Sequence, residues 1–187
     1  MLKQIPGTLL DFKAGMEQQA FAPLEGILSA TKGLTLGQVS EITGLSGSSI
    51  QNWIKRGWVA KPSGKRYEET QIIRIILINM LRPAVSLDKI IALMEYINGS
   101  VEDRQDDIIP DRQLFNYLCA VICAADEAGT TDRDEILEII ETEISDFRRD
   151  GEQDKIRLKN VILCMTLSYL SAEMKRKADV EIETTLQ

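Results

Sequence analysis

Residues 35–97 constrain the fold of this chain more than any other stretch, reading TLGQVSEITGLSGSSIQNWIKRGWVAKPSGKRYEETQIIRIILINMLRPAVSLDKIIALMEYI. Thr35 is a good N-cap for a helix through Ile42, because its hydroxyl can accept from an orphan backbone N–H of the first turn. Val39 and Ile42 then fall on one face. Gly44 tolerates the left-handed backbone that ends such a helix, and Leu45 is expected to be buried in the turn. Ser46 caps a second helix over residues 47–56, with Ile50, Trp53 and Ile54 inward, and Gly57 ends it. Trp58-Val59 and Lys65-Arg66-Tyr67 flank the turn-forming triplet Pro62-Ser63-Gly64, which predicts a short β-hairpin. A third helix, over residues 69–81, is so rich in isoleucine that burial on several sides is expected. Arg82-Pro83 breaks it. Ser86 caps a fourth helix, with Leu87, Ile90, Leu93 and Met94 at helical spacing, which stops at Asn98-Gly99.

The 187 residues suit one compact domain or two small ones, and 44% apolar content is enough to bury a core. The first residues lack the apolar run and cleavage pattern of a signal peptide, so none is expected. No apolar run is long enough to cross a bilayer. Three cysteines make no disulfide framework and fit a reducing, cytoplasmic setting. The chain contains no histidine, which removes Ser-His-Asp and Cys-His catalysis, imidazole metal ligands and a histidine pH switch. An enzyme is therefore not expected, nor is a cofactor.

The net charge of −7 divides unevenly. Residues 31–98 hold nine Lys/Arg and five Asp/Glu, for +4; residues 99–187 hold eleven and twenty-one, for −10; residues 1–30 contribute −1. Between residues 50 and 67 there are five basic residues and no acidic one. Local field rather than net charge governs contact with phosphate. Three regions follow: a helical lead-in at 1–33, a basic unit at 34–98 and an acidic helical unit at 99–187.

In the lead-in, residues 11–19 have helical composition, and Pro23 opens a helix that ends near Lys32-Gly33 with Leu24, Ile27 and Leu28 as its apolar face. After the acidic linker VEDRQDDII, three more helices are expected. They span residues 110–128 (Leu114, Leu118, Val121, Ile122 and Ala125 inward), 132–148 (Ile136, Ile140, Ile144 and Phe147 in one stripe) and 153–177. The last is apolar almost all round between Val161 and Leu170, as in a central or interface helix, and the tail after Ala178 is expected to fray. The fold class is mainly all-α: a winged helix-turn-helix with a small β-hairpin wing, plus a C-terminal helical bundle.

In a helix-turn-helix the second helix enters the DNA major groove. With Ile50, Trp53 and Ile54 inward, Ser48, Ser49, Gln51, Asn52 and Lys55 face outward, beside the capping Ser46. Gln and Asn can bond adenine through two atoms at once, and Ser is a general partner of bases or phosphates. Lys55, Arg56, Lys61, Lys65 and Arg66 are expected to hold phosphates, which supply affinity and register but no sequence information.

The segment resembles the DNA-binding domain of the MerR family of transcription regulators. Residues 35–46 match that family's opening helix and turn, and residues 49–59 its recognition helix. Residues 67–75 match the closing tyrosine of its wing, Tyr67, and the helix beyond. Residues 85–90 match the start of its next helix. The resemblance covers about a third of the chain and implies a regulator that binds double-stranded DNA, reshapes promoters and has Tyr67 in its binding set. Family members usually carry Arg, Tyr and Tyr where this chain has Gln51, Asn52 and Trp53, and Arg where it has Lys65, so the operator does not carry over. Beyond Asn98-Gly99 the chain departs from the family's single dimerising helix. Over its whole length it resembles an uncharacterised bacterial family of MerR-like proteins with an acidic helical C-terminal region.

Residues 100–178 are expected to bind a partner: a second subunit in a homodimer, another protein, or a small apolar effector. Cys119 and Cys123, four apart in the run LCAVICAA, read as small core residues rather than metal ligands. Asp134, Glu138, Glu141 and Glu143 read as a solvated helix face. Trp58 reads as packing at the wing base rather than as a stacking platform for bases. The other functional expectation is a protein-interaction module that keeps the winged-helix shape without binding DNA.

Overall fold

A buried helix organises the molecule. In the computed structural model, which describes residues 3–13, 15–99, 107–148 and 151–186, helix α4 (Glu69–Leu81) is buried from Gln71 to Leu81 apart from the half-buried Asn79. This fulfils the expectation set by its isoleucines: such a helix needs partners on every side. Among the described residues three α-helices precede it, α1 (Ala22–Thr31), α2 (Leu36–Thr43) and α3 (Gly47–Lys55), and four follow, α5 (Leu87–Asn98), α6 (Asp111–Ala128), α7 (Arg133–Glu143) and α8 (Glu152–Thr185). The chain is mainly helical. α2 packs on one side of α4, and α6 and α8 pack on the others, while α6 and α8 also close on α7. One hydrophobic cluster therefore runs unbroken from Ile5 through Ile50, Ile76 and Phe115 to Tyr169. The basic and acidic regions share a core. The acidic linker's residues 101–106 lie outside the described residues.

Local chemistry sets the early helices as expected. Thr35 and Gln38 form a reciprocal capping box on α2. Gly44 takes φ +69 to end it, and Ser46 Oγ accepts from Ser49 N to start α3. Leu45 is buried in the turn.

The small sheet is not the expected hairpin. Strand β2 (Arg66–Tyr67) pairs antiparallel with β1 (Leu34–Thr35), matching Leu34 with Tyr67, and Trp58-Val59 form no strand. Side chains of α4 take the place of a strand partner. Arg74 Nε donates to the Trp58 carbonyl at 2.6 Å and Gln71 Nε2 to the Lys61 carbonyl at 2.8 Å. Within the loop the strand makes a single tight antiparallel bridge, Ser63 to Arg66, and its ladder is with Leu34–Thr35. Gly33 permits the approach: its φ is +102, and a Cβ there would sit 2.8 Å from the Tyr67 carbonyl.

Three helix boundaries differ from the sequence expectation. Among the described residues of 11–19 the one helical turn is a 3-10 turn at Glu17–Gln19, because the chain folds back on itself through Ile5 N to Leu10 O and Phe12 N to Lys3 O. In the same region Ile27 is 44% exposed, so Leu24 and Leu28 alone form the buried face of α1. α7 ends at Glu143, and Ile144 stays buried in the turns that follow. α8 does not fray after Ala178 but continues to Thr185, supported along its exposed surface by the Lys175–Asp179 and Glu173–Arg176 pairs. Among the described residues no helix is long and apolar enough to cross a membrane.

Candidate functional site

α3 is amphipathic in the sense that matters for a surface reader. Ile50 is fully buried and Trp53 is 4% exposed, which fixes the helix on the core by its apolar side. Gln51, Asn52, Lys55 and Arg56 are exposed. Ile54 is half-buried, so the inward stripe is narrower than its sequence spacing implies. At the N-terminus of α3 the hydroxyls of Ser46, Ser48 and Ser49 form one cluster, with Ser46 Oγ 3.0 Å from Ser48 Oγ and 2.8 Å from Ser49 Oγ. Ser46 and Ser48 are exposed and Ser49 half-buried. With Ser49 N bonded to Ser46 Oγ, these hydroxyls and the earlier N–H groups of the first turn make a polar end with a partial positive charge.

The chain leaves α3 through a tight C-terminal turn, Gly57 N donating to Ile54 O and Trp58 N to Trp53 O. The loop of residues 56–65 then carries Lys61 and Lys65 into solvent. It is a supported loop, because Gln71 and Arg74 hold its backbone from below. Arg74 is 6% exposed, and its Nη2 has no hydrogen-bond partner among the described residues. Burial pulls its guanidinium below the ordinary value, opposed by Asp111, Glu95 and Asp107. Gln71 and Arg74 lie outside the expected set; the local signal for Arg74 is a lone arginine in the run IIRIILI, whose charge must find partners inside the core.

The cationic side chains divide into two kinds. Lys55, Lys61 and Lys65 are exposed, and their ammonium groups make no hydrogen bond or ion pair among the described residues. Arg56 and Arg66 are exposed but partly engaged. The Arg56 guanidinium lies over the Trp58 ring at 4.9 Å, and Arg66 Nη1 donates to the Gly33 carbonyl at 2.9 Å. Stacking leaves an arginine's edge donors available for phosphate. Trp58, half-buried under Arg56, packs at the base of the loop as expected. Lys32, exposed at the end of α1 and next to Gly33, joins this side of the molecule through the β1–β2 pairing. No local pattern around Lys32 signals that.

Tyr67 is the correction within the expected set. It is 4% exposed and sits in β2 against Leu34, with burial pushing its hydroxyl pKa up. It serves the core beneath the loop, so its ring is withdrawn from an external ligand.

The cysteines of α6 are core residues. Cys119 is fully buried and Cys123 is 5% exposed; burial pushes the first thiol far up and the second to about 12. Protonated thiols are poor metal ligands.

Residues 27–118 match a family described as a domain of unknown function, DUF1836. That segment runs from within α1 into α6, so it takes in α3, the supported loop and the central helix together. The chain is also similar to an uncharacterized protein of Bacillus subtilis (strain 168), YkrK, at 26% identity over 161 residues, covering 81% of this chain and 69% of that protein. No solved structure matches it. Neither relative's name states an activity.

Proposed function

We propose that this chain is a sequence-specific, DNA-binding transcription regulator of MerR-like type, with residues 34–98 acting as a winged helix-turn-helix. α3 is the recognition helix, and the loop of residues 56–65 is the wing. One observation carries the reading. In a chain with 29 acidic residues and a net charge of −7, Lys55, Lys61 and Lys65 stand exposed and unneutralised among the described residues, on one stretch of backbone with Arg56. A duplex supplies the missing anions. Gln51 and Asn52, exposed on α3 between the serine cluster and Lys55, are the side chains that read base edges. The serine hydroxyls and the helix N-terminus take a phosphate. In this reading α3 is held rigidly through Ile50 and Trp53 and the wing through Gln71 and Arg74, so both arrive preorganised.

Selection of bound fragments from a pool of genomic duplex DNA tests the proposal. The full chain is expected to enrich one motif, and Asn52→Ala to relax preference at one base pair of it, by about 1–3 kcal/mol. Failure to enrich any motif overturns sequence-specific recognition and leaves the protein-interaction module in its place.

A further inference from the structure

A cleft of about 800 Å³ opens where the N-terminal segment meets α6 and α8. Lys3, Gln4 and Asp11 form one wall, the end of α6 from Ile122 to Thr131 another, and α8 from Tyr169 to Lys177 the third. All of these lie outside residues 27–118, so the cleft is no part of the matched family segment. Clefts of this size hold small organic ligands. The floor is aliphatic: Ile122 and Ala125 are fully buried, Leu170 is half-buried and Met174 is 58% exposed. Tyr169, in the same wall as Leu170, is 8% exposed, yet its hydroxyl makes no hydrogen bond among the described residues. Burial, with Glu173 nearby, pushes that phenol's pKa up, so it stays a hydroxyl able to donate. The charges point the same way. Glu173 is paired with Arg176 at 2.9 Å, and Asp126 is already engaged. Lys3 and Lys177 then face Asp11, and none of these three forms an ion pair among the described residues. Two ammonium groups against one carboxylate leave the cleft positive, although residues 99–187 sum to −10.

We propose that this cleft binds a medium-chain carboxylate, with its apolar chain on Ile122, Ala125 and Leu170 and its head group accepting from the Tyr169 hydroxyl and neutralised by Lys177 and Lys3. A carboxylate accepts through two oxygens, so one head group can meet the phenol and an ammonium together. An alcohol of the same length can accept from the phenol but leaves the lysines without an anion. An alkylammonium offers Tyr169 no acceptor and is repelled by both lysines. A polar metabolite without a chain leaves the aliphatic floor wet, and burial of that floor is the larger driving force. Tyr169, Glu173 and Lys177 recur at four-residue steps, so they share one face of α8. From Tyr169 to Lys177 that wall runs about 12 Å at 1.5 Å per residue, a length that suits a chain such as decanoate. Glu173, held by Arg176, does not compete for Lys177. This inference stands apart from the DNA-binding reading, since the carboxylate binds with or without a duplex.

Calorimetric titration of the full chain with decanoate, decanol and decylammonium, each in the millimolar range, tests it. Decanoate is expected to bind saturably at one site, decanol to bind more weakly, and decylammonium not to displace decanoate. Tyr169→Phe is expected to weaken decanoate binding by about tenfold or more, the loss typical of a hydrogen bond to a charged group. It should leave the melting temperature where it was, because the hydroxyl has no partner among the described residues. Met174→Glu, at an exposed position, is expected to abolish uptake by placing a carboxylate in the cleft. Ile182→Glu, on the same helix but outside the cleft, should leave uptake unchanged. Absence of saturable decanoate binding overturns the inference. So does decanol binding as tightly, decylammonium displacing decanoate, or a Tyr169→Phe variant that keeps its affinity or melts lower. Uptake that survives Met174→Glu, or is lost in Ile182→Glu, overturns it as well.

Discussion

Asn98 should prove one of the most sensitive single positions in the molecule. It closes α5, is 5% exposed, and joins that helix to the start of α6 through four hydrogen bonds. Its Oδ1 accepts from Ile108 N at 3.1 Å and Ile109 N at 3.2 Å, while its Nδ2 donates to Ile109 O at 2.7 Å and Asp111 Oδ1 at 3.2 Å. Asn98→Ala removes all four and strands the backbone groups of Ile108 and Ile109, which are themselves 6% and 0% exposed. At a net value near 1 kcal/mol for each bond, and more for a buried group left unpaired, the loss is about 3–4 kcal/mol. For a chain of this size that corresponds to a fall in Tm of about 6–16 °C. Asn98→Asp keeps the two acceptor bonds but turns an oxygen toward Ile109 O and Asp111. At neutral pH it should therefore cost at least as much as alanine. Urea unfolding followed by circular dichroism at 222 nm measures both variants. A loss below about 1 kcal/mol for Asn98→Ala would show that these groups are solvated without Asn98, and would refute the reasoning.

Thiol reactivity and acid response follow from the same packing. In the native state Cys164, exposed on α8, should alkylate quickly, while Cys119 and Cys123 react only as fast as the protein unfolds; rapid labelling of all three thiols would contradict the buried α6 face. Lys159 and Lys155 hold the Glu141 carboxyl below its ordinary 4.5, tying α7 to α8. A depressed carboxyl contributes stability that is present above pH 4.5 and lost as the pH falls through its folded value. Glu141→Gln should flatten the acid limb of the stability–pH curve, weakly and less so in high salt because the pair is exposed; an unchanged acid limb at low salt would discount the tie.

Which parts of the fold were legible depends on how far apart the interacting residues lie. Thr35 with Gln38, Gly44 and Ser46 act within one helical turn, so cap chemistry alone placed α2 and α3. The isoleucines of α4 announced burial because no amphipathic helix could carry them all. The sheet was misread for the opposite reason: Tyr67 pairs with Leu34, 33 residues away, and nothing local to Trp58-Val59 reveals that Gln71 and Arg74 already hold that strand of the loop. Residues 11–19 have helical composition, but backbone bonds back to Lys3 and Ile5 prevailed over propensity. In the candidate site, outward Gln51, Asn52 and Lys55 followed from periodicity on α3. The burial of Tyr67 and the arrival of Lys32 beside the loop depended on tertiary pairing that no spacing encodes.

The central claim is electrostatic and is tested most directly by the salt dependence of DNA affinity. Fluorescence anisotropy with the enriched duplex should give a slope of log K against log salt of about −4 to −5 per chain, for the five cations Lys55, Arg56, Lys61, Lys65 and Arg66 at about −0.9 each. Lys55→Ala with Lys65→Ala should make that slope shallower by about 2 while leaving the preferred sequence unchanged. Affinity that is absent at low salt, or a slope that the double variant leaves where it was, would contradict the account.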